Sequence, residues 1–136
     1  MTLGDAGLET TTILVVDTDV VVRHVIADYL RSCGYEVLEA ASGAEAAALL
    51  DAGGKRIDLV LADAAATGDR EGFALSQWMR AAHPDVDIIL AGSPEKTAAQ
   101  AAQLCDDGPA VSKPYQPQQV VDRIKWLLAR RARARS

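Results

Sequence analysis

Five times along this chain a short, apolar, β-branched run gives way to a longer stretch with helical spacing. The runs are residues 12–17 (TILVVD), 35–39 (YEVLE), 57–63 (IDLVLAD), 86–91 (VDIILA) and 109–112 (PAVS). Unbroken apolar character suits a strand whose sheet is covered on both faces. The second run alternates more than the others, which predicts an edge position. Strict β-α alternation with right-handed crossovers predicts an α/β architecture. In it, five parallel strands form one sheet with helices on both sides.

The helical stretches carry their own punctuation. Val21, Val22, Val25, Ile26, Tyr29 and Leu30 recur at helical spacing, and Gly34 ends that helix. Residues 42–45 (SGAE) read as a capping box, and Gly53-Gly54 closes the second helix. A third helix over residues 71–82 is stopped by His83-Pro84. Ser93-Pro94 opens an Ala-rich fourth helix. Residues 118–131 form the last one, with Val120, Val121, Ile124, Leu127 and Leu128 inward. Phe73 and Trp78 are expected to pack the third helix onto the sheet, and His24 and His83 to lie at the surface. Trp126 falls outside the inward stripe of the last helix, beside Asp122, Arg123 and Arg130. An exposed aromatic there is able to anchor an interface.

With 136 residues the chain suits a single domain over residues 12–129. Residues 1–11 are expected to be a flexible leader and 130–136 a basic tail. A hydrophobic content of 49% supports a real core, but aromatics make up only 4%, so Ala, Val, Leu and Ile must fill it. The net charge of -5 argues against a nucleic-acid partner. The one basic cluster, Arg130, Arg131, Arg133 and Arg135, suits the negative end of a helix dipole. Cys33 and Cys105 form no CxxC motif, which excludes a disulfide or zinc framework and fits a cytoplasmic protein. No apolar run approaches the roughly 18 residues of a membrane span, and the leader lacks the pattern of a signal peptide.

In an open parallel sheet, ligands bind beyond the carboxyl ends of the strands. The first strand ends in Asp17-Thr18-Asp19, the third in Asp63, the fourth in Ala91-Gly92-Ser93, and Lys113-Pro114 follows the fifth. Singly, each has a plain reading: Asp17 as a helix cap, Asp63 as a loop residue, Lys113 as a solvated strand end. Their convergence at three strand ends favours a site. Clustered carboxylates repel one another and need a cation, and hard oxygen donors suit Mg²⁺. A lysine beside them can hold a phosphoryl oxygen, and a carboxylate in that setting can attack phosphorus.

Taken together, residues 13–19 (ILVVDTD), 23–46 (RHVIADYLRSCGYEVLEAASGAEA), 58–75 (DLVLADAAATGDREGFAL) and 110–124 (AVSKPYQPQQVVDRI) resemble the receiver domain of bacterial response regulators. The resemblance covers residues 12–129 and implies a flavodoxin-like (βα)5 fold with strand order 2-1-3-4-5. It implies a phosphoacceptor at Asp63, Mg²⁺ ligands at Asp17, Asp63 and the backbone carbonyl of Ala65, and phosphoryl contacts from Lys113 and Gly92. Its partners would be a histidine kinase or phosphotransfer protein. It also suggests a homodimer through the face of the fifth strand and last helix. Several family positions are degenerate: Thr18 replaces the second acid, Ala91 replaces the strand-four hydroxyl, and Ala110 replaces the strand-five aromatic. Weakened Mg²⁺ binding and unconventional switching are therefore expected.

Two other readings stand beside a non-enzymatic phosphoacceptor receiver. One is a pseudo-receiver that binds partners without phosphorylation. The other is a phosphatase resembling the haloacid dehalogenases, with Asp17 and Asp19 as its DxD pair and Ser93, Lys113 and Asp106-Asp107 recruited to it.

Overall fold

The computed structural model describes residues 11–63, 72–92, 110–112 and 114–135. Its strands are β1 (Thr12–Val16), β2 (Glu36–Ala40), β3 (Leu59–Asp63), β4 (Asp87–Gly92) and β5 (Ala110–Ser112). All pair in parallel, in the order β2-β1-β3-β4-β5. The more alternating strand, β2, lies at an edge. The described helices are α1 (Val20–Ser32), α2 (Gly43–Ala52), α3 (Gly72–Ala82) and a C-terminal α4 (Pro117–Arg135). The helix expected after Ser93-Pro94 lies outside the described residues, as do Phe73's side chain and the first ten residues.

Local chemistry sets the helix ends. Asp19 caps α1 by accepting the amides of Val21 and Val22 at 3.0 and 3.1 Å. Ser42 accepts the Glu45 amide at 3.1 Å, and Glu45 reaches back to the amide of Ala41 at 2.7 Å, so the capping box forms. Gly53 ends α2 at φ 67°, a left-handed conformation that favours glycine.

Period-two alternation divides the core between the two faces of the sheet. On one, Ile13, Val15, Leu59, Leu61, Ile89, Ala91 and Val111 pack against Ile26, Ala27 and Leu30 of α1 and Val120, Ile124 and Leu127 of α4. On the other, Leu14, Val16, Val60, Ala62 and Leu90 pack against Ala46 and Leu50 of α2 and Leu75 and Met79 of α3. Trp78 is half-buried against this second layer, as expected. Its ring meets His83 at 5.2 Å, and His83 pairs with Asp51 at 3.0 Å, tying α3 to α2. That contact leaves His83 half-buried at the surface, whereas His24 is exposed to solvent on α1.

Helix α4 runs past the last inward leucine as far as Arg135, so the basic residues continue the helix. Arg131 fastens that end to the amino-terminal edge of the sheet. Its Nη1 donates to the Asp58 carbonyl at 3.0 Å, and its Nε lies 3.6 Å from Asp87 Oδ2. Burial holds the Asp87 carboxyl above its usual range even though Arg131 and Arg130 pull it down. Among the described residues, no helix is long and apolar enough to cross a membrane.

Candidate functional site

The carboxyl ends of β1 and β3, neighbours in the sheet, bring two acids together. Asp63 is the last residue of β3, two positions beyond Leu61 and therefore on the α1/α4 face. Asp17 stands two positions beyond Val15, and its amide extends the β1-β2 ladder by donating to the Ala40 carbonyl at 3.1 Å. Both carboxylates thus head the same face of the sheet. Asp17 is 1% exposed, whereas Asp63 is half-buried.

A buried carboxylate needs hydrogen bonds. Asp17 Oδ1 accepts the Asp19 amide at 2.9 Å. The turn is held from behind by Arg23, whose Nη1 donates to the Asp17 carbonyl at 2.9 Å and whose Nε pairs with Glu39 at 3.1 Å. Glu39 also receives Arg31 at 3.2 Å. Burial disfavours ionisation of Glu39, but the hydrogen bonds from Arg23, Arg31 and His24, together with the charge of Arg31, outweigh it. They hold the carboxyl below its ordinary pKa.

The acidic run at the end of β1 therefore divides its labour. Asp17 points into the site, Asp19 caps α1, and Thr18 is exposed between them. The capping role considered for Asp17 belongs to Asp19. On the other side of Asp63, Ala91 is its ladder partner, and Val111 is the ladder partner of Ala91. Ala91 is fully buried and brings no polar side chain. Gly92, paired with Ser112, leaves backbone beside the site, and Ala110 opens β5 opposite Leu90. Ala65, Ser93, Asp106, Asp107 and Lys113 lie outside the described residues.

Tyr115 was not singled out in the sequence. It sits in the turn between β5 and α4, its ring packed on the α1/α4-face core and its hydroxyl oxygen enclosed. Burial raises its pKa, and the nearby carboxylates of Asp17 and Asp63 raise it further. The available signal was a hydroxyl-bearing aromatic immediately after Lys113-Pro114.

Two carboxylates on adjacent strand ends fit Mg²⁺, which binds through one or two carboxylates and keeps several waters. Among the described residues there is no group of three or more His, Cys, Asp and Glu side chains suited to a metal. Any further ligands would be backbone, water or substrate oxygen. Asp17 and Asp63 would hold the ion.

The order β2-β1-β3-β4-β5 makes this a doubly wound α/β domain, the class that binds its ligands beyond the carboxyl ends of the strands, where Asp17 and Asp63 lie. Within that class, the response regulator receiver domain model matches residues 13–125, and the chain belongs to that family. It is 31% identical over 121 residues to the transcriptional regulatory protein AruR of Pseudomonas aeruginosa, with 87% of this chain and 49% of AruR covered. It is 30% identical over 118 residues to the sensor kinase CckA of Brucella abortus, covering 86% of this chain but 12% of that one. Among solved structures, a CheY-like response regulator receiver domain protein from Methanospirillum hungatei superposes with a TM-score of 0.79 at 25% identity. That match covers 93% of this chain and 99% of the other. The chain spans about half the length of the transcriptional regulators it matches.

Proposed function

We propose that this receiver domain accepts a phosphoryl group on Asp63 from a histidine kinase or phosphotransfer protein and signals through protein contacts. The observation that carries this reading is Asp63 itself, half-buried at the end of the central strand β3 and on the same face as buried Asp17. An Asp63 carboxylate oxygen attacks phosphorus, the bond from phosphorus to the donor's nitrogen or oxygen breaks, and its electron pair leaves with the donor. An acyl phosphate results. Mg²⁺ at Asp17, Asp63 and the Ala65 carbonyl would neutralise charge on the transferring group. Lys113 and the backbone at Gly92 would hold its oxygens. The full (βα)5 count, with a helix after Ser93-Pro94, belongs to the same reading, as does a cytoplasmic location.

The partner class draws support from the match to a protein called a sensor kinase. Trp126 supports a contact surface on α4: it is 41% exposed, with the Arg123 and Arg130 guanidiniums 5.5 and 4.9 Å from its ring centre. A homodimer through the β5/α4 face would use it. A domain that loads one phosphoryl group and signals by contact is not a turnover enzyme, and the net charge of -5 disfavours nucleic acid.

The second reading, partner binding without phosphorylation, is favoured by one feature, the absence of polar side chains at Ala91 and Val111 beside the acceptor. Asp19 Oδ1 accepts the amides of Val21 and Val22, a helix-capping arrangement that lends the phosphatase reading no support. Intact mass after treatment with acetyl phosphate and Mg²⁺ tests the proposal. One added phosphoryl group, abolished by Asp63→Asn, is expected. An unmodified wild type would overturn it in favour of the binding module.

A further inference from the structure

Both polar backbone atoms of Asp17 are tied to the carboxyl end of β2, one directly and one through a side chain. The amide donates to the Ala40 carbonyl at 3.1 Å. The carbonyl accepts Arg23 Nη1 at 2.9 Å, and the same guanidinium turns its Nε to Glu39 Oε1 at 3.1 Å. The guanidinium is planar and rigid, so a pair that fixes Nε also fixes where Nη1 points. Three bonds then close a ring around the acid. The Asp19 amide donates to Asp17 Oδ1 at 2.9 Å, the Arg23 amide donates to the Asp19 carbonyl at 2.9 Å, and the Arg23 side chain returns to the Asp17 carbonyl. The direction of the Asp17 carboxylate depends on a turn that Arg23 closes.

Helix α1 carries a second arginine that invites comparison. Arg31 donates to Glu39 Oε2 at 3.2 Å and to the Val37 carbonyl at 3.0 Å, and it pairs with Asp28 of its own helix. It ties α1 to β2 as Arg23 does, but its bonds go to the strand and the helix, whereas one bond of Arg23 goes to the site's turn. The Arg23 side chain is 15% exposed and that of Arg31 38%, so solvent screens Arg23 less. A guanidinium behind a cation site opposes the cation by its charge. Attraction for Mg²⁺ therefore does not account for Arg23, and its pairing with Glu39 offsets that charge while keeping the geometry.

We infer that Arg23 is a positioning residue for the metal-binding carboxylate of Asp17, and that Glu39, by fixing Arg23, extends the role to β2. The inference rests on the reading of Asp17 as a Mg²⁺ ligand and deepens it. Partners that orient a ligand set metal affinity without touching the metal.

The test is a direct Mg²⁺ titration of the full chain, with amide exchange of the metal-free protein beside it. Arg23→Met and Arg31→Met each keep an apolar stem and lose the guanidinium. Arg23→Met should weaken Mg²⁺ binding about ten-fold, as befits a residue that orients a metal ligand. It should also speed exchange of the Asp19 amide relative to amides of the β3-β4 ladder. Arg31→Met should leave both as they were. Charge alone predicts the opposite sign, since removing a cation tightens Mg²⁺. Unchanged or tighter binding by Arg23→Met would overturn the inference. So would an equal loss in Arg31→Met, which would mark a general loosening of α1. Glu39→Gln keeps an acceptor for Arg23 and should weaken binding less than Glu39→Ala, which keeps none; the reverse order would remove Glu39 from the role. If Arg23→Met does not fold, Arg23→Lys decides, because it keeps the charge without the planar fork. Weaker Mg²⁺ binding is expected of it, and an unchanged affinity would overturn the inference. A wild type that binds Mg²⁺ but takes no phosphoryl group from acetyl phosphate would sink the phosphoacceptor reading and leave this inference standing. A wild type that binds no Mg²⁺ would sink the metal site and this inference with it.

Discussion

Thr18 is the residue whose chemistry would most limit the proposed metal site. It is exposed between a buried acid and a capping acid, and it brings a neutral hydroxyl to the end of β1. A carboxylate there would add a charge pair worth a few kcal/mol at intermediate dielectric, part of it returned as desolvation. Thr18→Asp is therefore expected to tighten Mg²⁺ binding by about 1–3 kcal/mol, or roughly one to two decades, in a direct titration. Equal affinities would remove Thr18 from the metal's surroundings. A second residue-scale prediction concerns Glu39, whose carboxyl is held below its ordinary pKa. A depressed folded pKa contributes stability that is present above the unfolded value of 4.5 and is lost as pH falls through the folded one. Glu39→Gln should flatten that acid limb in urea melts while sparing neutral-pH cooperativity; an unchanged slope would refute the assignment. Asp17 and Asp63 were legible in the sequence because strand periodicity places them. Tyr115 was not, because a residue in a turn is aimed by the packing of α4 against the sheet, which no local pattern encodes.

At the scale of elements, agreement was closest where a local rule fixed the boundary. The Ser42-Glu45 capping box and Gly53 bracket α2 in the structure as in the sequence. The start of α1 was harder, since three successive polar residues could cap it, and tertiary burial of Asp17 left the task to Asp19. Asp19→Ala should cost about 1 kcal/mol of stability. It should do so without abolishing phosphorylation at Asp63, because its carboxylate faces the helix amides and not the acid pair. Loss of modification with stability unchanged would mean that Asp19 belongs to the site. The length of α4 was least legible. Its apolar stripe stops at Leu128, yet the helix continues to Arg135. The long-range bonds of Arg131 to Asp58 and Asp87 account for this, at a sequence separation that periodicity does not reach.

For the whole molecule, the question is how far a phosphoryl group on Asp63 can be felt. A ligand shifts a conformational equilibrium only by its differential interaction with the two states. On the strand side that differential is small, because Ala91 cannot reach toward an anion and Ala110 has no ring to move into a vacated space. Under the phosphoacceptor reading, what remains is Lys113, Mg²⁺ and the backbone at Gly92, and the chain beyond Lys113 leads through a short turn into α4. That helix is pinned along its length by Val120, Ile124 and Leu127 in the core and at its far end by Arg131. Its first turn can respond, but a shift of the whole helix would have to break that packing. Beryllofluoride with Mg²⁺ should therefore alter amide exchange around Asp63 and Gly92 and from Tyr115 to about the first turn of α4. Protection near Trp126 should stay as it was. Changes spreading through Val111 to Trp126 would show that the β5/α4 face is coupled to the acceptor by a different device, and the argument from Ala91 and Ala110 would fail.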